Sequence, residues 1–240
     1  NIVSTAGDVS LDMVGITGAA GKSSQSGILT LSSTATVGSL GTPVETQVNT
    51  LNLSNLGAAA YISNTSTDLS LSGTVSGDLG LTNSGNITMG GDVISTTGDV
   101  SLTSTGITAV SGNSIQADVL TIDSSGAVGD LLGFPLEVQA NTLNLSNLGS
   151  TANINNNIAN LSVSGTVNGD VSLSNSGDIT LTGNLISSTG YIILTSTGGA
   201  FDFGGNTVQA TSLTLSTPND VGALGNAVST VADTLVLSNL

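Results

Sequence analysis

The sequence contains no Cys, no His and no Trp, and Lys22 is its only basic residue. Each absence removes a class of chemistry. Without Cys there is neither a disulfide nor a thiolate metal site. Without His or Cys, the usual nucleophilic triads are excluded. A single Lys and no Arg cannot neutralise a phosphate backbone, which argues against nucleic acid as a partner and against anionic lipid surfaces. Runs of about 18 apolar residues are missing, so no helical membrane span is expected. Polysaccharide lyases and hydrolases need a base or paired carboxylates, often beside Arg, Lys or His. Carboxylates such as Asp118 and Asp123 fall in no recognisable pattern, and we expect no enzymatic activity.

Sixteen acidic residues in a chain of 240 give a net charge of −15, yet charged residues make up only 7%, against roughly 25% in an ordinary domain. Gly, Ser, Thr and Asn fill the space. The hydrophobic share is 38%, almost all aliphatic and regularly placed, which suits a packed core better than a disordered chain.

The regularity is a repeat. TLNLSNLG occurs at Thr50 and at Thr142, and a worn copy, TLVLSNL, at Thr234, each 92 residues after the last. The longer strings GTPVETQVNTLNLSNL from Gly41, GFPLEVQANTLNLSNL from Gly133 and GNAVSTVADTLVLSNL from Gly225 mark a super-repeat of about 41–132 and 133–224, with a third beginning at 225. Inside it, an alternating pattern x-Φ-x-Φ, with Φ aliphatic, starts at residues 8, 28, 50, 78, 99, 119, 142, 170, 191, 212 and 234. Most steps are 20–23 residues, and one of 28 recurs after each TLNL.

A period of two is the signature of a strand with one buried and one wet face. Weaker strands such as NITM at Asn86 and DVIS at Asp92 complete each step, separated by Gly, Asn, Asp and Ser turns. Three short strands per coil of about 20–23 residues describe an all-β, right-handed parallel β-helix of roughly ten coils. The chain reads as one continuous β-helical segment, 1–240, cut from a longer repetitive protein. In such a coil like stacks on like, about 4.8 Å apart. Val100, Leu120 and Leu143 are therefore expected in one stacked row. The extra residues of the 28-residue coil, Ala58 to Thr67 and Ser150 to Asn157, are expected to bulge as loops.

The candidate sites are few. GITGAAGKSS at Gly15 approaches a phosphate-binding loop, but the required Gly falls at Ile16, one place off; Lys22 reads as a lone loop lysine. Asp8, Asp78, Asp99 and Asp170 share a column just before the first inward residue. A ladder of carboxylates there invites Ca²⁺, with Asp78 and Asp99 as the candidate ligands. Ca²⁺ wants six to eight converging oxygens, which single Asp residues one or more coils apart do not guarantee. The plainer reading is a turn residue bonding its own backbone, and no cofactor is assigned. Ser32, Ser54, Thr82, Thr103, Ser146, Ser174, Thr195 and Ser216 form a column of turn-closing hydroxyls too mixed for an ice lattice. Sugar binding uses aromatic platforms, and only Tyr61, Phe134, Tyr191, Phe201 and Phe203 are available; core or edge packing is the expectation for Phe201 and Phe203.

VGSLGTPVE at Val37, VGDLLGFPLE at Val128 and NDVGALGNAV at Asn219, each leading into TLxL, resemble a recurring element of filamentous-haemagglutinin-like adhesins, and GDVSLTSTG and SGDITLTGN do so too. These are exoproteins of bacterial two-partner secretion, including biofilm-matrix adhesins. The resemblance implies a β-helical shaft, export through an outer-membrane pore, and a place at the surface of a Gram-negative bacterium. It implies neighbouring repeats of the same giant chain, an extracellular polysaccharide or another cell's surface as partners. The expected role is a spacer or scaffold in adhesion. The alternatives are a subunit stacking end to end into an extracellular filament and, behind it, a carbohydrate-active β-helix enzyme.

Overall fold

The computed structural model describes residues 1–5, 7–130, 133–222 and 227–238. The third super-repeat's start at Gly225 lies outside the described residues. Among them there are 22 strands and no helix, and every pairing between strands is parallel. The chain is a parallel β-helix that winds about 12 turns, close to the ten expected. It divides into two compact units, Asn1–Asp118 and Val119–Leu240, with the boundary inside the strand Ser114–Ser124.

In the first unit one inward row runs Ile16, Val37, Ala60, Leu79, Val100, in steps of 21, 23, 19 and 21 residues. A second row runs Val9, Leu29, Leu51, Leu71, Met89, in steps of 20, 22, 20 and 18. Each coil has three pairing segments. After Leu79–Asn83 comes Asn86–Ser95, whose register shifts at Gly90 and Gly91, so that Asn86–Met89 and Val93–Ser95 pair separately with the coil before. The second unit repeats the plan. Its first row is Val128, Ala152, Val171, Ile192, Leu213, Leu235, and its second row is Leu143, Val163, Leu181.

Eighteen of the 22 alternating aliphatic positions are buried, as expected. The other four, Val9, Leu11, Leu235 and Leu237, sit in the first and last strands of the pattern, which pair on one side only. Phe201 and Phe203 are both 1% exposed and belong to the core.

The 28-residue coil does not exist. Leu51 stacks on Leu71, 20 residues on, and Leu79 stacks on Ala60, 19 residues back. The step from TLNL to DLGL joined two different rows, one coil plus the eight residues that separate Leu71 from Leu79. The residues expected to bulge instead form the strands Ala60–Asn64 and Ala152–Asn156, with Ala60, Ile62, Ala152 and Ile154 buried. Val100, Leu120 and Leu143 are all buried, and their counterparts in the second unit, Ile192, Leu213 and Leu235, stack in one row.

The inward row also carries polar residues at one corner. Asn64 is 1% exposed and fully engaged. Its Oδ1 accepts from Thr46 Oγ1 at 2.8 Å and from the Val48 N–H at 3.0 Å. Its Nδ2 donates to the Val48 carbonyl, to Ser66 Oγ and to Asn83 Oδ1. Asn83 in turn donates to the Asn86 carbonyl at 2.9 Å. Ninety-two residues later Asn156 and Asn175 rebuild this ladder, with Ala140 in place of Val48 and Asp178 in place of Asn86. The amides satisfy backbone groups that the corner would otherwise bury unpaired. In the SNL of both TLNLSNL copies, Asn55 and Asn147 take φ of 54° and 63°, a left-handed conformation that Asn tolerates better than branched residues.

Asn64→Ala is expected to destabilise the chain by roughly 2 kcal/mol or more, since it strands buried donors and acceptors. Gln116→Ala, at an exposed strand position, is expected to stay within about 0.5 kcal/mol. Urea unfolding of the two variants checks this, and equal midpoints would remove the amide ladder from the account of stability.

Candidate functional site

The Asp column has a structural task that differs from the one expected. Two of its four carboxylates bond the backbone of the following coil, not their own. Asp78 Oδ1 accepts the Asp99 N–H at 3.1 Å, and Asp170 Oδ1 accepts the Tyr191 N–H at 3.0 Å. Asp92 takes the Ser114 N–H and Asp178 the Ala200 N–H in the same way. At these four places a side-chain acceptor clips one coil to the next. Asp8 is exposed in a strand-flanking position. Among the described residues no group of three or more acidic side chains is placed to hold a metal ion. Apart from Ile16, which pairs with Val37, the GITGAAGKSS stretch is turn and irregular chain running into the strand Ser23–Ser33, with Lys22 N–H donating to the Ala19 carbonyl. The hydroxyl column survives in part: Thr82 pairs with Thr103, and Ser174, Thr195 and Ser216 follow one another.

Asp78 and Asp99 nevertheless border a groove of about 510 Å³ in the first unit. Its floor is the outer face of three successive coils. Tyr61, Gly80 and Ser101 form one outward row, and Ser63, Thr82 and Thr103 the next. Its wall is an excursion of the coil below. The Val37 carbonyl accepts the Tyr61 N–H, the chain turns outward at Gly38 with φ 67°, and it returns at Val44 to pair with Ile62. A side chain at Gly38 would collide with the Tyr61 carbonyl oxygen. Ser39 and Thr42 close the excursion with two backbone bonds of 3.0 and 3.1 Å, leaving Leu40 85% exposed at its tip. Leu40 and Pro43 line the groove.

The Tyr61 ring lies over Gly80. A Cβ at Gly80 would stand 2.8 Å from ring carbon Cδ1 and 3.3 Å from Cε1. The phenol donates to Asp78 Oδ2 over a long 3.4 Å. Burial pushes the Tyr61 hydroxyl above the usual tyrosine value, and the negative charge of Asp78 and their hydrogen bond act in the same direction. Reading the sequence for aliphatic rows passed over this arrangement, although a signal was there: of the eleven x-Φ-x-Φ patterns, DLGL alone has Gly between its aliphatic residues.

No family model, curated protein or solved structure matches the chain. The site is therefore interpreted from its own geometry.

Tyr61 binds its proton more tightly in the folded chain than in the unfolded one, so its contribution to stability is present below the unfolded value near 10.0 and is lost as pH rises through the folded value. In a Tyr191→Phe background, where Tyr61 is the single tyrosine, ultraviolet titration is expected to give a midpoint above 10.0. Asp78→Asn is expected to lower that midpoint without abolishing the elevation, because burial is the larger cause. A midpoint unmoved by Asp78→Asn would show that the two groups do not interact.

Proposed function

We propose that the chain is a segment of the structural shaft of a large secreted bacterial adhesin or biofilm-matrix fibre, a spacer that holds a binding surface away from the cell. The observation that carries this reading is the in-register stacking within each unit. The same inward rows recur coil after coil, tied by backbone ladders, by buried Asn pairs and by Asp side chains that clip adjacent coils. A chain built this way gains length by duplication, because a side chain that fits one coil fits the next. The 92-residue super-repeat is such a duplication. The resemblance of its VGSLGTPVE-type and GDVSLTSTG-type motifs to filamentous-haemagglutinin-like adhesins supports export through an outer-membrane pore to a Gram-negative cell surface. There neighbouring repeats of the same chain are its first partners. The acidic coat suits a solvated extracellular segment, and no catalytic role is assigned.

Antibodies raised against the chain are expected to decorate intact cells of the source organism in immunogold electron microscopy. Removal of one 92-residue super-repeat from the parent gene is expected to bring the distal label closer to the membrane. Label found only after cell lysis would overturn the proposal. Long fibres formed by the purified chain in negative stain would favour the end-to-end filament instead.

A further inference from the structure

We propose that the groove over Tyr61 binds a pyranose segment that carries no negative charge. The inference goes beyond the shaft reading and does not depend on it.

Three observations carry it. The groove volume, about 510 Å³, lies within the range of small-molecule sites. Its floor pairs one flat aromatic ring with a field of hydroxyls, Ser63, Thr82, Ser101 and Thr103. A sugar presents the matching surface: a C–H face that packs on an aromatic ring, and a rim of hydroxyls that donate and accept. The ring is also held in place, by Gly80 beneath it and by Asp78 at its phenol. Fixing the platform before binding lowers the ordering cost of holding a ligand.

Charge selects among sugars. Asp78 and Asp99 line the groove, the whole chain has net charge −15, and Lys22 is the one base. A uronate or sulfated sugar would meet like charge without a compensating cation. A neutral sugar can donate its hydroxyls to a carboxylate, and an amino sugar gains attraction as well.

The internal repeat supplies the control. The ladder recurs 92 residues on, with the Asn153 N–H donating to the Val128 carbonyl as Tyr61 does to Val37, although the outward turn at Gly129, φ 69°, comes 91 residues after Gly38 and its step from Val128 to Ala152 is one residue longer. Yet Asn153 stands where the first unit has Tyr61, Ser172 where it has Gly80, Tyr191 where it has Asp99 and Ile193 where it has Ser101. Asn153 and Asn155 spend their side-chain amides on the Asp130 carbonyl and on Glu137. The fold therefore requires neither a ring at this place nor a Gly beneath it. Gly weakens a strand interior and often marks a close approach. Its presence at 80 is explained by the ring it accommodates, and the ring by what it receives.

The test is a titration of the isotope-labelled 240-residue chain with three hexasaccharides, of β-1,4-linked glucose, glucosamine and galacturonate, followed by two-dimensional NMR. Saturable shifts at residues 61–63, 80–82 and 101–103 are expected with glucose or glucosamine and not with galacturonate. Tyr61→Phe is expected to keep the affinity within about threefold, while Tyr61→Ala loses at least about tenfold. Tyr191→Ala, in the second unit, is expected to leave it unchanged. Thr82→Trp fills the groove without removing the ring and is expected to block binding even if Tyr61→Ala fails to fold. Absence of saturable shifts with both non-acidic sugars would overturn the proposal. So would equal binding of galacturonate, affinity that survives both Tyr61→Ala and Thr82→Trp, or localised shifts with spermidine in place of the sugars.

Discussion

Parallel, in-register hydrogen bonding between one coil and the next is the constraint from which the rest of this structure follows. A residue's backbone partners sit about 18–24 positions away, so whatever occupies a position must be compatible with the side chain directly above it. Aliphatic residues form rows because a polar residue among them would be buried against Leu or Val without a partner. Variation in coil length is absorbed where the ladder is already interrupted. The longest steps in the first inward row, from Val37 to Ala60 and from Val128 to Ala152, are those that contain an outward excursion.

The inward corner shows how the same constraint admits polar groups. One buried Asn would need partners from an otherwise apolar interior. Two stacked Asn residues supply each other, with Asn64 donating to Asn83 at 2.8 Å and Asn156 to Asn175 at 2.9 Å. The remaining capacity goes to backbone groups at the bend. Ser95 and Ser187 do comparable work elsewhere in the coil, each donating to a glycine carbonyl of the coil before and accepting from a glycine N–H three residues on. Polar stacking is thus part of the architecture, and it is duplicated with the super-repeat.

Much of this was legible in the sequence. Period-two alternation at near-constant spacing identified the parallel β-helix and most of its core. The errors came from having several alternating patches in each coil. DLSL at Asp68 and NLSV at Asn160 fit the pattern as well as DLGL and DVSL do, and periodicity alone does not say which patch lies on which. The strands Ala60–Asn64 and Ala152–Asn156 were hidden because Ala and Asn occupy inward positions there, and neither is a strand-favouring residue. The carboxylate column was recognised, but its inter-coil bonds depend on a register that the sequence does not state. The groove was missed because its parts, Leu40, Tyr61 and Gly80, come from three coils and converge only once the stacking is known.

The spacing of the backbone ladder has a consequence for how the chain is made. The ladder partners described lie no farther than one turn along the sequence, so a new layer needs only the layer before it as a template. Once a first turn has formed, roughly two dozen freshly delivered residues are enough to add another. Structure can therefore grow in the direction in which the chain is released, without waiting for a distant end to arrive.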